Sequence, residues 1–261
     1  MRKTLLAIIT LGAFASGSAM AADLPVRAPA YKAPVIAPVV SNWTGFYIGV
    51  HVGADRFDKD WFVPLTPINI AGGCPGCPAA NGGHRDNSWL AGGQIGFNYQ
   101  VGAWVLGVEA QASATDLEGS NLSAIPAFGA AGIRVNSKTD SVGTVAARLG
   151  WALGGQTLLY VKGGGAWAHD KFWTSTAAFP IAQSVTDTRS GWVVGVGAEF
   201  AMSGNWSIKV EYNHMDFGNR TETLGPVAIG TAPFQYNVDQ TIDLVKVGIN
   251  YRFGGPVVAA Y

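Results

Sequence analysis

The amino-acid sequence predicts an all-β fold, a transmembrane antiparallel up-and-down β-barrel of eight strands. Three observations predict it: an apolar, glycine-rich composition, segments in which apolar and polar residues alternate, and connections that are alternately short and long. Of 261 residues, 48% are hydrophobic, 13% are charged and 35 are glycine. After the first 22 residues, no apolar run reaches the roughly 18 residues of a membrane-spanning helix, so crossing by strands is favoured.

The first 42 residues are predicted to lie outside the barrel. A short basic start, an apolar stretch from Leu5 to Ala15 and the small residues Ala19-Met20-Ala21 are typical of a secretory signal peptide, predicted over residues 1–21. Prolines then recur among alanine and valine, which favours an extended, semi-rigid chain. Residues 22–42 are therefore predicted to be a Pro/Ala-rich periplasmic segment, and residues 43–261 the barrel.

Period-two alternation identifies the strands, because successive side chains of a strand point to opposite faces. From Trp206 to Asn213 apolar and polar residues alternate without a fault, and each predicted segment is long enough to cross a membrane. The eight segments are 44–54, 88–101, 103–114, 139–153, 157–169, 188–202, 205–216 and 239–253.

The connections between these segments favour an outer-membrane barrel over a soluble one. Three connections are tight, near residues 100–103, 153–156 and 203–205. The four others are long, and strict alternation places them all at one end of the barrel, as in outer-membrane barrels. The long connections are predicted over residues 55–87, 115–138, 170–187 and 217–238.

Aromatic residues mark both ends of the predicted strands. Two aromatic bands are expected where a barrel crosses the two lipid–water interfaces. Trp89, Trp167 and Trp192 lie near the long-loop end. The tight-turn end carries one aromatic residue on each of eight strands: Trp43, Tyr99, Trp104, Trp151, Tyr160, Phe200, Trp206 and Phe253.

If the apolar face meets lipid, the charged residues of the strands point into the lumen. Eight strands leave an interior about filled by side chains, and buried charges are costly unless they pair. We expect an ion-pair network in which Glu211 and Glu199 bridge neighbouring bases. Inward glycines such as Gly92 and Gly195 leave room for water, so a narrow pore stays open as an alternative. The predicted network comprises Glu109, Arg148, Lys162, Glu199, Lys209, Glu211, Lys246 and Arg252.

The end of the last strand resembles the signal read by the outer-membrane assembly machinery, with Lys246, Gly248, Tyr251 and Phe253 in the matching positions. Together with the mature start at Ala22-Asp23-Leu24-Pro25 and the entry Trp43-Thr44-Gly45-Phe46, it resembles the small outer-membrane surface-antigen barrels of alphaproteobacteria, in the opacity-like barrel superfamily. The resemblance implies an eight-stranded barrel with exposed extracellular loops and a largely structural role.

Few residues suggest chemistry. Cys74 and Cys77 lie in the first long connection, and an exported chain with two cysteines most simply forms one small loop disulfide, although a redox or metal site is the alternative. The four histidines do not have metal-site spacing, so no metal or cofactor is predicted. The sequence contains neither a G-x-S-x-G elbow nor a phosphate-binding G-x-x-x-x-G-K-[ST] loop, and we expect no enzyme.

The predicted function is structural: a bacterial outer-membrane barrel that contributes to envelope integrity and displays extracellular loops. The alternative is a narrow porin-like channel, or a loop-side haem or small-ligand uptake protein. Expected partners are outer-membrane lipid, lipopolysaccharide and the assembly machinery. Basic and acidic residues balance at 17 each, so no nucleic acid is expected. A closed barrel has no free edge, so we expect a monomer.

Overall fold

The computed structural model describes residues 42–66, 79–123, 132, 134–175, 183–224 and 234–254, and folds them into one closed antiparallel barrel. The strands follow one another around the barrel in chain order, and β8 pairs with β1. Their bounds are β1 Gly45–Val63, β2 Ala79–Val101, β3 Trp104–Leu122, β4 Arg134–Leu153, β5 Thr157–Ser175, β6 Gln183–Ala201, β7 Trp206–Leu224 and β8 Phe234–Phe253.

The fold class and the number of strands are as predicted, but every strand is longer than expected at its long-loop end. β1 has 19 residues and β2 has 23, so much of the predicted long connections is sheet. The reason is a reversal of the pattern along each strand. On β1 the exposed side chains up to Val52 are apolar, whereas beyond it Phe57 and Trp61 are buried and Arg56 is exposed.

This reversal divides the barrel into two halves. The membrane-spanning half has an apolar exterior and a polar interior, and includes exposed Phe46, Ile48 and Val50 of β1. The long-loop half has a polar exterior and a partly apolar interior. It consists of residues 55–63, 79–88, 115–122, 134–141, 169–175, 183–191, 217–224 and 234–243.

Backbone pairing also differs between the halves. β2 pairs with β3 only up to Leu90–Thr115, and β6 with β7 only up to Trp192–Asp216, whereas the other six pairings continue far into the long-loop half. Among the described residues, the long-loop half is therefore two four-stranded sheets, β7-β8-β1-β2 and β3-β4-β5-β6. We call the two unpaired boundaries the β2/β3 seam and the β6/β7 seam.

Exposed aromatic side chains form bands at both ends of the membrane-spanning half. Trp104 packs on Trp151 near the tight turns, with ring centroids 4.5 Å apart, and Trp89 and Trp192 are exposed at the opposite end. Two members of the predicted band are wrong: Trp43 and Tyr160 point into the lumen and are buried. Trp43 precedes β1, where the chain turns into the barrel mouth, and a strand pattern does not extend to it.

Several predictions concern residues outside the described ranges. The signal peptide, all but the last residue of the Pro/Ala-rich segment, and the proposed disulfide between Cys74 and Cys77 stay predictions. In the described part of the chain, no helix has the length and hydropathy needed to cross a membrane.

Candidate functional site in the barrel lumen

Glu109 is the centre of a buried ion-pair network in the membrane-spanning half. Its Oε2 atom lies 3.0 Å from Lys209 Nζ and 3.2 Å from an Arg148 terminal nitrogen, and its Oε1 atom lies 3.4 Å from Lys162 Nζ. These residues come from β3, β4, β5 and β7, so one carboxylate ties together strands on different sides of the lumen. The sequence placed Glu109 in the lumen but did not identify it as the central acid.

Glu211 is the second bridging acid. Its Oε1 atom lies 2.8 Å from Lys162 Nζ and 3.2 Å from Lys246 Nζ, and its Oε2 atom lies 3.5 Å from Lys209 Nζ. Lys246 is its direct partner across the β7–β8 ladder, so register alone brings these two side chains together.

Glu199 joins the network through Arg148, whose second terminal nitrogen lies 3.0 Å from Glu199 Oε2. The remaining oxygen of Glu199 accepts hydrogen bonds from Ser207 Oγ at 2.6 Å and Asn250 Nδ2 at 2.8 Å. The carboxylate is thus shared between one ionic and two neutral donors. Buried charges persist only with such extra hydrogen bonds, because desolvation otherwise exceeds the Coulomb gain.

Neutral side chains that the sequence analysis missed complete the network. Tyr47 donates its hydroxyl hydrogen to Glu109 at 2.9 Å, and Tyr160 donates to Glu211 at 2.7 Å. Gly96 lies opposite Tyr47, Gly197 lies opposite Tyr160, and a Cβ at either glycine would collide with the tyrosine ring. An inward tyrosine facing a glycine is a readable signal, but only once the strand register is known.

Arg252 lies at the tight-turn mouth of the lumen. Its guanidinium carbon lies 4.4 Å from the centroid of the Trp43 ring, and a terminal nitrogen donates to the Asn42 carbonyl oxygen at 2.8 Å. The Trp43 backbone N–H donates to Gln100 Oε1 at 2.8 Å. Trp43 packs there with an apolar cluster that includes Leu158. Arg252 therefore contacts the side chain of Trp43, which we call the tryptophan plug, at the tight-turn end of the lumen.

On the long-loop side of the ion-pair network the interior of the barrel becomes apolar. Phe57, Leu90, Leu117, Met215 and Ile242 belong to one buried apolar cluster inside the barrel. All are 1% exposed or less, so side chains rather than solvent occupy this level. Two of them, Phe57 and Leu117, lie in segments predicted to be long connections, which is why this layer was not predicted.

A second polar layer lies in the long-loop half, between the two sheets. Lys59 Nζ lies 3.1 Å from Asp170 Oδ1 and donates to Thr139 Oγ1 at 3.2 Å. Arg189 donates to Gln240 Oε1 at 3.0 Å and to the Val238 carbonyl oxygen at 2.7 Å. Burial lowers the pKa of Lys59, and the Asp170 carboxylate opposes that shift.

The four histidines lie in separate places. His51 is in the lumen, hydrogen-bonded to Gln94 and, at 2.7 Å, to Ser113. His84 contacts Asn121, His169 contacts Thr188, and His214 contacts Asp243. Among the residues that the structure describes, no group of three or more His, Cys, Asp or Glu side chains is placed to hold a metal ion.

The predicted assembly signal occupies the end of β8. Lys246 and Gly248 face the lumen, and exposed Phe253 points to the exterior beside Tyr251, with ring centroids 5.2 Å apart. Tyr251 packs also on Trp206, at 5.1 Å. The outward pair therefore belongs to the aromatic band at the tight turns, while Lys246 belongs to the ion-pair network.

A closed antiparallel barrel with an apolar exterior, two aromatic bands and a charged interior defines the class of outer-membrane β-barrel proteins. The chain belongs to the outer membrane protein beta-barrel domain family, which matches residues 9–253. It is a protein of the Gram-negative outer membrane.

Its relatives include surface antigens. The chain is 31% identical to the 31 kDa outer-membrane immunogenic protein of Brucella melitensis, over 97% of this chain and 100% of the relative. It is 27% identical to the 25 kDa outer-membrane immunogenic protein of Brucella abortus, over 91% and 92% of the two chains. Among solved structures it is similar to OprG from Pseudomonas aeruginosa, with 11% identity, coverage of 82% and 100%, and a TM-score of 0.47.

Proposed function

We propose that this protein is a structural component of the outer membrane, which contributes to envelope integrity and displays its long loops to the exterior. The observation that carries the proposal is the filled lumen. A tryptophan plug, an ion-pair network, an apolar layer and a second polar layer follow one another from the tight-turn mouth to the long-loop end. A wide aqueous channel would need these layers to be absent, and eight strands leave little space beyond them.

Single-channel recording in a planar bilayer tests the closed lumen. The refolded mature protein should give no discrete conductance steps, because each layer excludes ions. Folding is checked in the same preparation by the heat-dependent gel mobility typical of barrels. Reproducible steps from a folded sample would contradict the proposal and favour the narrow channel.

Envelope integrity is tested in the cell. A deletion strain should become sensitive to detergent and to large antibiotics, and the wild-type gene should restore resistance. Complementation with Glu109→Ala should restore less, because loss of the central acid lowers the amount of folded barrel. Unchanged resistance in the deletion strain would remove the structural role.

The proposal includes three partners and no catalytic activity. Lipid and lipopolysaccharide would cover the apolar exterior, where Phe46, Trp89 and Phe253 are exposed. The assembly machinery would recognise the end of β8. A monomer is proposed because all eight strands pair around the membrane-spanning half, which leaves no edge within lipid.

A further inference from the structure

A depression of about 430 Å³ lies on the outer surface of the long-loop half, on the continuous sheet β7-β8-β1-β2. Asp60, at its centre, is six residues beyond Ala54, and Ala54 is the register partner of Trp89 in the aromatic band. Six strand residues span roughly 20 Å, so the depression lies outside the lipid. The residues that line it include Asp60, Phe62, Gly83, Asn219, Asn237 and Asp239.

Two irregularities of the sheet border this depression. The register shifts just after Trp61 in the β1–β2 ladder and just before Asn219 in the β7–β8 ladder. Such bulges bend a strand and re-aim its side chains, and they are common next to active sites. Between them Gly83 lies opposite Asp60, and a Cβ at Gly83 would collide with the Asp60 carboxylate. Glycine at this position therefore leaves open space beside the acid.

Two carboxylates face each other in the depression. Asp60 of β1 and Asp239 of β8 are direct register partners, and like charges in such a pair destabilise a sheet. In the described part of the chain, neither side chain forms an ion pair or a hydrogen bond. The other exposed acids described in the long-loop half share one counter-charge, Lys138, and are Asp116, Glu118 and Asp140.

Two bases that neighbour the depression in the chain or in the sheet have other partners. Lys59 precedes Asp60, but its side chain points into the barrel and lies 3.1 Å from Asp170. Arg85 of β2 forms an ion pair with Asp58. The two carboxylates of the depression are therefore open to a cation from outside the chain.

We propose that this depression binds an arginine side chain presented by an extracellular protein or peptide. The guanidinium is planar and has five donors, so it can donate to Asp60 and Asp239 at once. Phe62 is 41% exposed at the rim and offers apolar surface to the arginine stem. The amide side chains of Asn219 and Asn237 provide donors and acceptors for the backbone of the partner.

The chemistry of the depression favours arginine over other cations. A guanidinium is more weakly hydrated than an ammonium, so it loses less on entering a half-open apolar and polar site. A metal ion is not favoured, because no group of three or more His, Cys, Asp or Glu side chains is placed to hold one among the described residues. The inference goes beyond the structural role and rests on one part of it, the display of the long-loop half to the exterior.

The test uses N-acetyl-arginine amide as the probe and N-acetyl-citrulline amide as its uncharged match. Full-length mature protein in lipid nanodiscs, labelled with ¹⁵N-phenylalanine, is titrated with each compound, and the Phe62 amide signal is assigned from Phe62→Leu. The arginine probe should shift the Phe62 signal in a saturable manner. The citrulline probe should bind at least about tenfold more weakly, because its hydrogen bonds carry no charge.

Three variants of equal charge change separate binding from folding and from net charge. Asp60→Asn and Asp239→Asn should each weaken binding of the arginine probe about threefold to fivefold, as expected for one exposed ion pair. Each should leave the urea unfolding midpoint unchanged or raise it, because a repulsive pair is removed. Asp140→Asn on the other sheet is the matched control, and should leave the affinity for the probe unchanged.

Four results would overturn the proposal. No saturable shift up to the solubility limit of the arginine probe would mean that the carboxylates are only solvated. Equal affinity for the citrulline probe would mean a site without cation recognition. Unchanged affinity in the double variant Asp60→Asn/Asp239→Asn would place the probe elsewhere, and an equal loss in Asp140→Asn would mean unspecific attraction by net charge.

This assay and the display of the long-loop half fail separately. Nanodiscs expose both ends of the barrel, so absence of binding there refutes the arginine site alone. Resistance of the long-loop half to surface labelling on intact cells would instead refute its display.

Discussion

The two halves of this barrel differ in how the wall is closed and in how the interior is filled. In the membrane-spanning half, backbone pairing is complete around the circumference, and buried ion pairs fill the interior. In the long-loop half, pairing is interrupted at two seams, and side chains join the resulting sheets. Lipid explains the difference, because an unpaired backbone group in hydrocarbon costs several kcal/mol, whereas water can satisfy it outside the membrane.

The difference also decides which interactions are essential. Within lipid, continuous backbone hydrogen bonding closes the barrel. The side chains in the lumen therefore need only to fill the interior and to pair their charges. In the long-loop half backbone pairing is interrupted at the two seams. The contacts Lys59–Asp170 and Arg189–Gln240 therefore help to hold the two sheets together. The comparison predicts that loss of a lumen charge acts globally in one half and locally in the other.

The largest effect is expected from Glu109→Ala. Removing this acid leaves Arg148, Lys162 and Lys209 with fewer counter-charges in a buried site, and breaking a buried pair typically costs about 3–5 kcal/mol. The free energy of unfolding, measured by urea titration in lipid vesicles, should therefore fall by about 3–5 kcal/mol.

Glu118→Ala on the same strand is the matched control. Glu118 pairs with Lys138 at 2.7 Å, but its side chain is 59% exposed, so its loss should cost at most about 1 kcal/mol. Equal losses of stability in the two variants would show that the lumen network does not brace the barrel.

The sequence predicted the membrane-spanning half well, because lipid imposes one simple rule. Apolar residues must face outward at every second position, and from Trp206 to Asn213 they do so without exception. The same rule placed Glu109 and Glu211 in the lumen. It did not reveal which acid bridges which base, because that depends on register around the barrel and on the lengths of lysine and arginine side chains.

The long-loop half was misread as loops for a physical reason. There the exterior faces water and the interior contains both Phe57 and Lys59, so neither face is uniformly apolar or polar. Strand residues with this mixture look like polar connections. Pairing with neighbouring strands, not local pattern, makes residues 55–63 a strand, and pairing partners far apart in the chain are not readable from one sequence.

Asp170→Asn should produce the next largest effect, confined to the long-loop half. Lys59 then remains buried beside a neutral amide, which we expect to cost about 2 kcal/mol. Hydrogen exchange should quicken in residues 55–63 and 169–175 and stay unchanged in residues 143–153. Uniform acceleration in both halves would contradict the separation of the two regions.

Acidification should loosen the β2/β3 seam. His84 crosses it through a hydrogen bond to Asn121 at 3.1 Å, and burial lowers the pKa of His84 below its ordinary value of 6.5. The unfolded chain therefore binds a proton at His84 more readily than the folded chain does. The contribution of neutral His84 to stability is fully present above pH 6.5 and is lost as the pH falls below 6.5.

Hydrogen-exchange protection measured at about pH 7.5 and about pH 5.5 checks this effect. Protection of residues 79–89 and 116–122 should decrease on acidification, and His84→Gln should remove most of the dependence. Asp86 and Asp60 are acids that lie near His84. A pH dependence that persists in His84→Gln would assign the titration to another group.

The smallest effect is expected from Arg220→Gln at the β6/β7 seam. The ion pair with Asp187 is exposed, so its removal should change the free energy of unfolding by no more than about 0.5 kcal/mol. The same change should nevertheless speed local exchange of residues 184–191, because Arg220 also caps the Thr188 carbonyl oxygen. A global loss of stability from Arg220→Gln would mean that the seam, rather than the buried layer behind it, holds the two sheets together.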